Sequence, residues 1–161
     1  MATLPQLIGE DVQRLDAVLA AFAAQSDAIA ALVIDKGGFL LARHGEAENL
    51  DFTTIGALAS GAFMANQTIA GLVNEKNFDS IYQQGEKFSL FVINVDEHCL
   101  LVVIFKSQSG VGVVKYYATE AVKQIALQLA VARARNPSAG FDLSAMNVAD
   151  PQELFRKKSV L

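Results

Sequence analysis

The chain has 161 residues, of which 52% are hydrophobic, and its 13 basic and 17 acidic side chains leave a formal charge of −4. This length suits one domain with a full core, and the acidic balance argues against a nucleic-acid surface, which would show a basic stripe. A single cysteine, Cys99, excludes an internal disulfide framework and fits a reducing, cytoplasmic compartment. The opening "MATLPQLIGEDVQRL" carries neither the basic nor the apolar region of a secretory signal.

In chain order, Val12, Leu15, Leu19 and Phe22 recur at spacings of three and four, predicting an amphipathic helix with Asp11, Gln13, Arg14 and Asp16 on its wet side. Two apolar runs, Ile29–Ile34 and Phe39–Ala42, flank "DKGG" and predict a hairpin. After the acidic loop "EAENLD", an uncharged run extends from Phe52 to Asn74. It reads as a helix with Thr53 or Thr54 as N-cap and Asp51 near the positive end of the dipole.

"FDSIYQQGEKFSLFVINVDEHCLLVVIFK" then reads as three strands, Phe78–Gln83, Phe88–Val95 and Cys99–Phe105. The last two are apolar at nearly every position, so both of their faces must be covered. The more polar Phe78–Gln83 suits a sheet edge. A last long helix carries Ala118, Val122, Ile125, Leu129 and Ala132 inward and Lys115, Glu120, Lys123, Gln124 and Gln128 outward. It ends at "ARARNP". The expected fold class is α+β: a five-stranded antiparallel sheet with helices on both faces, in the order helix, two strands, helix, three strands, helix. Residues 9–136 form the expected domain, and residues 137–161 a linker and short helix bearing Leu154 and Phe155.

The uncharged helix is the unusual element. Its interior glycines, Gly56, Gly61 and Gly71, should each cost about 1 kcal/mol relative to alanine. At 100° per residue, Ile55, Leu58, Ala62, Ala65, Ile69 and Leu72 form one stripe, the expected contact with the sheet. Gly56, Ser60, Phe63, Met64, Gln67 and Gly71 then face outward. A solvated face would carry Lys, Glu or Asp; this one is small and neutral and reads as a subunit or partner interface. Threonine, serine and asparagine interrupt the run too often for a membrane span.

No catalytic, metal or cofactor motif emerges. His98 and Cys99 are sequence neighbours in an extended segment, so they point apart, and Cys99 reads as a buried structural thiol. His44 beside Glu46 and Glu48 reads as a wet loop. "SQSGVG" lacks the lysine and hydroxyl of a phosphate-binding loop and reads as a glycine turn.

Taken together, the hairpin "ALVIDKGGFLLA", the alanine- and glycine-rich second helix, "FSLFVINVDEHCLLVVIF" and "SQSGVGVVKYYATEAV" resemble the Roadblock family, above all its bacterial MglB-type members. The resemblance covers roughly Asp11 to Asn136 and implies a profilin-like fold. It also implies a homodimer in which edge strands join, bringing in Phe78 and Ile81, while the second helices lie side by side. It further implies binding of a small Ras-like GTPase that keeps its own catalytic residues while the dimer repositions them. No arginine finger is assigned among Arg14, Arg43, Arg133, Arg135 and Arg156. Leu154 and Phe155 match a tail that contacts the GTPase in some bacterial members. A platform without effect on hydrolysis and a small-ligand sensor are the other readings; an enzyme is disfavoured for want of a constellation.

Overall fold

A computed structural model describes residues 4–45 and 48–135 of the chain. Its elements are α1 (Gly9–Ser26), β1 (Ala28–Asp35), β2 (Leu40–His44), α2 (Phe52–Leu72), β3 (Ser80–Gln84), β4 (Phe88–Asn94), β5 (Cys99–Lys106) and α3 (Val111–Ala134), with a single 3-10 turn at Ser107–Ser109. The strands form one sheet in the order β2-β1-β5-β4-β3, every neighbouring pair antiparallel. The order and type of the elements are those expected from the sequence.

Strand alternation divides the core in two. From β1, Ala31 and Val33 point to one face, and Ala30, Leu32 and Ile34 to the other. From β5, Leu101, Val103 and Phe105 join the first set, and Leu100, Val102 and Ile104 the second. The first face is roofed by α1 (Leu15, Leu19, Phe22) and α3 (Val114, Ala118, Ile125, Leu129). Among the described residues, the second face has α2 alone, through Phe52, Ala59 and Phe63. The run of apolar residues in β1 and β5 follows from this double cover.

Helix α2 lies rotated from its expected phase. Phe63 is 2% exposed, and Gly56 and Ser60 are buried with it against the chain's own sheet. These three residues therefore do not face outward, which corrects the expectation from the helical wheel. Packing explains the reversal. Phe52 and Phe63 are the largest side chains of the helix and pack in one cluster with Ile34 and Val92. The small residues between them let the helix descend: a Cβ on Gly56 would stand 3.0 Å from Ile34 Cγ2. Ser60 Oγ donates to the Lys36 carbonyl at 2.6 Å, tying the helix to the β1–β2 turn. Smallness here serves approach to the sheet within one subunit. Around Gly61 and Gly71 an added Cβ would meet nothing within 4 Å.

Three smaller expectations are also corrected. Asp51 is itself the N-cap of α2, accepting from the Thr54 amide at 3.1 Å. Asp11, expected on the wet side of α1, is fully buried, while Val12 beside it is exposed. Gln128, expected on the wet side of α3, is buried against Asp11. For Asp11 and Gln128 a specific polar partner overrides the apolar period.

The rotation of α2 makes Phe63→Ala a core truncation, expected to cost about 3–5 kcal/mol by chemical denaturation. A loss below about 1 kcal/mol would contradict the inward placement.

Candidate partner-binding surface

The outward side of α2 is the stripe that the sequence pattern assigned to the core. Leu58 is 69% exposed and Leu72 79%, with Ile69 and Met64 about half exposed. Thr54, Gly61, Ala65 and Thr68 complete the exposed side without a charge. Contiguous exposed apolar residues of this kind mark interaction surfaces. Beside the helix, β3 pairs among the described residues only with β4, leaving the other edge of Ser80–Gln84 open there. Ile81 there is half-buried on the α2 side of the sheet.

The other residues expected at the interface gather at one end of α2. Met64, Gln67 and Phe78 line, with the edge of Phe63, a cavity of about 680 Å³ that also reaches Lys36, Asp79 and Glu97. Gln67 holds Phe78 at both of its backbone groups: Nε2 donates to the Phe78 carbonyl at 2.8 Å, and the Phe78 amide donates to Oε1 at 3.2 Å. Gly71 is exposed on the helix flank. Leu154 and Phe155 lie outside the described residues. The signal that could have set the helix phase was the pair Phe52 and Phe63, eleven residues and three turns apart, on the face that seeks the core.

A second cavity, of about 720 Å³, opens at the other end of the sheet. Its walls are Ile29, Leu50, Ile55, Phe88 and Leu90, with Gln83 and Gln84 at the rim. It too lies on the α2 side, between Ile55 of α2 and the exposed flank of β4. Polar groups do not converge in it as a small-ligand site requires.

Two ion pairs fix the ends of α1 and α3 rather than forming a reaction centre. Asp11 accepts from Arg135 Nη1 at 2.6 Å, from Arg135 Nη2 at 3.0 Å, from Gln128 Nε2 at 2.7 Å and from the Ile8 amide at 2.9 Å. The Arg135 hydrogen bonds, outweighing burial, hold its carboxyl far below the usual carboxylate range. At the β4–β5 turn, Asp96 accepts from Arg133 at 2.6 Å and from the amides of His98 and Cys99. Burial pushes the Asp96 carboxyl up, but Arg133 and the two amides outweigh it and hold it low. Burial, aided by the Asp96 charge, pushes the Cys99 thiol up to about 11. A thiol so protonated is a poor nucleophile.

Among the described residues, no group of three His, Cys, Asp or Glu could hold a metal ion. Nor is any helix among them long and apolar enough to cross a membrane. The loop before α3 directs its polar groups to its own chain: Ser107 Oγ donates to the Gly85 carbonyl at 2.7 Å, and the Ser107 amide to the Lys87 carbonyl.

The sequence pattern of the Roadblock/LC7 domain matches residues 14–105. A solved structure described as MglB with a tetrameric arrangement is 30% identical, the match covering 81% of this chain and 99% of that one at a TM-score of 0.74. The gliding protein mglB from Thermus thermophilus is 30% identical over 80% of this chain and 99% of its own, with a TM-score of 0.72. Myxococcus xanthus MglB is 25% identical over 78% and 95%, with a TM-score of 0.72. No curated protein sequence matches the chain.

Because its folded carboxyl titrates below its unfolded value of about 3.9, Asp11 contributes stability above about pH 4 that fades as the pH falls. Asp11→Asn is therefore expected to lower the melting temperature at pH 7 and to flatten its decline between about pH 4 and 2. An unchanged acid slope in thermal melts would count against the Asp11–Arg135 pair. Cys99 is expected to resist alkylation at about pH 7.5 in the native protein and to react completely once unfolded, as mass spectrometry would show. Rapid native labelling would contradict its burial.

Proposed function

Since this chain belongs to the Roadblock/LC7 domain family, we propose that it works as a non-catalytic regulator in the cytoplasm, a homodimer that binds a small Ras-like GTPase and controls its nucleotide state. The observation that carries this reading is the uncharged outward face of α2, with Leu58, Ile69 and Leu72 exposed beside the open edge of β3. Burial of these side chains would contribute about 1.5–3 kcal/mol each, enough to drive association and to offset the glycines at 61 and 71. Those two glycines have open space around them and leave room for a second helix to approach closely.

The proposed contact surface is thus Leu58, Gly61, Ala65, Ile69 and Leu72, with Met64, Gly71 and Ile81 at its margins. Gln67 and Phe78 support it from below. The domain unit is residues 9–136, as the sequence suggests, with the remainder a tail. A tetrameric arrangement is described for one similar MglB, which supports self-association of this chain. The kinship with MglB proteins supports the GTPase as partner.

In this reading the dimer supplies no reacting group. Its contribution is a rigid sheet-and-helix platform against which a GTPase can settle its mobile loops, an effect driven by contact energy specific to one nucleotide state. Arg133 and Arg135 are engaged by Asp96 and Asp11, so neither is offered as a finger. A platform without effect on hydrolysis would bind in the same way and differ only in rate.

Leu58→Asp combined with Leu72→Asp is expected to give a folded monomer by light scattering, where the unaltered chain runs at twice the chain mass. A dimer that survives both charges would remove α2 from the interface. Mixed with the small GTPase encoded nearest to it, the unaltered protein is expected to raise single-turnover GTP hydrolysis at least tenfold. Binding without a rate change selects the platform, and no binding rejects the GTPase as partner.

A further inference from the structure

The cavity at the C-terminal end of α2 combines features that its neighbours do not share. Met64 and Phe78 give it an apolar wall, and three carboxylates, Asp79, Asp96 and Glu97, stand against the single ammonium of Lys36. Lys36 is occupied: its Nζ donates to the Asp96 carbonyl at 2.9 Å and lies 6.0 Å from the centre of the Phe63 ring. Asp96 is occupied by Arg133. Asp79 and Glu97 are both exposed and, among the described residues, form no ion pair. The site therefore presents an apolar wall beside two uncompensated negative charges. Its complement is a short segment with large apolar side chains followed directly by cations.

The chain carries such a segment, Leu154-Phe155-Arg156-Lys157-Lys158. We propose that this stretch of the C-terminal tail docks intramolecularly in the cavity, with Leu154 and Phe155 against Met64 and Phe78, and the basic triplet facing Asp79 and Glu97. The point where the chain leaves α3 favours this site. Arg133, in the last turn of α3, is bonded to Asp96 on the cavity rim, so α3 finishes at the end of the sheet where the cavity opens, on the opposite face. About 18 residues then precede Leu154, and a coil linker of that length spans roughly 23 Å, ample for the return. The larger apolar cavity at Ile29 and Phe88 lies at the opposite end of the sheet, about 26 Å away along the eight residues of β5. It contains one carboxylate, Glu48, among its lining residues. Tethering at this distance gives an effective concentration in the millimolar range, so a weak site would still be mostly filled.

The docking concerns the chain alone and can be tested without a GTPase. A nitroxide on Ser159→Cys, with buried Cys99 left unmodified, reads the position of the tail through paramagnetic broadening of backbone amide signals in the full-length protein. The amides of Met64, Asn77, Asp79 and Glu97 are expected to lose more than half of their intensity, while those of Ile29, Gln84 and Phe88 keep theirs. Tenfold dilution with unlabelled protein should leave the pattern unchanged, as an intramolecular contact requires. Asp79→Lys with Glu97→Lys should abolish the broadening, and adding Arg156→Glu, Lys157→Glu and Lys158→Glu should restore it. Uniform broadening, broadening centred on Ile29 and Phe88 or on the outward face of α2, or loss on dilution would each overturn the proposal. Monomer formation by Leu58→Asp with Leu72→Asp tests the dimer separately and should not alter the pattern.

Discussion

One helix cannot roof five strands. The outer strands of this sheet lie about 19 Å apart, and a helix with its side chains is about 10–12 Å across. On one face α1 and α3 share the work, and the core beneath them is closed. On the other, α2 sits over β1, β2 and β5, leaving Ile81 and Leu90 of the β3–β4 flank only partly covered. Both large cavities open on this underroofed face. Among the described residues, the same shortage leaves the far side of α2 exposed. The outward stripe of Leu58, Ile69 and Leu72 is the surface on which the proposed association rests.

The elements themselves were legible in the sequence, because each obeys a strong local rule. Gly38 at φ +95° turns the first hairpin, as "DKGG" suggested. The double-sided apolar pattern of β4 and β5 placed both inside the sheet, and polar β3 at the edge. The phase of α2 was not legible from hydrophobicity alone, because both of its sides are apolar or neutral. A helical wheel weights Leu58 and Leu72 as core residues, yet packing depends on shape: Phe63 fills the hollow above the sheet, and Gly56 removes the Cβ that would hold the helix off Ile34. The expected outward phase was reversed for Gly56, Ser60 and Phe63, which turn to the chain's own sheet. Met64, Gln67 and Phe78 come together only because the rotated helix brings its C-terminal end over the start of β3.

The buried polar residues were illegible for a different reason. Asp11 and Arg135 are separated by nearly the whole domain in sequence, and no periodicity connects them. Their pairing closes α1 onto α3 at the end of the molecule where the described chain stops. Asp96 performs a similar task at the β4–β5 turn, organising two backbone amides while receiving Arg133. Charge-assisted contacts thus clamp the two-helix face at its margin, and the one-helix face carries none of comparable burial among the described residues.

The paired hydrogen bonds from Gln67 to the main chain of Phe78 have a consequence for how far the sheet can grow. A side-chain amide that both donates to and accepts from one residue imitates a neighbouring strand, and it does so just before the open edge begins. Any incoming strand finds that rung already taken. On the β3 side, lateral extension is thereby confined to the five residues from Ser80 to Gln84, a short splice that leaves room for one companion in register there.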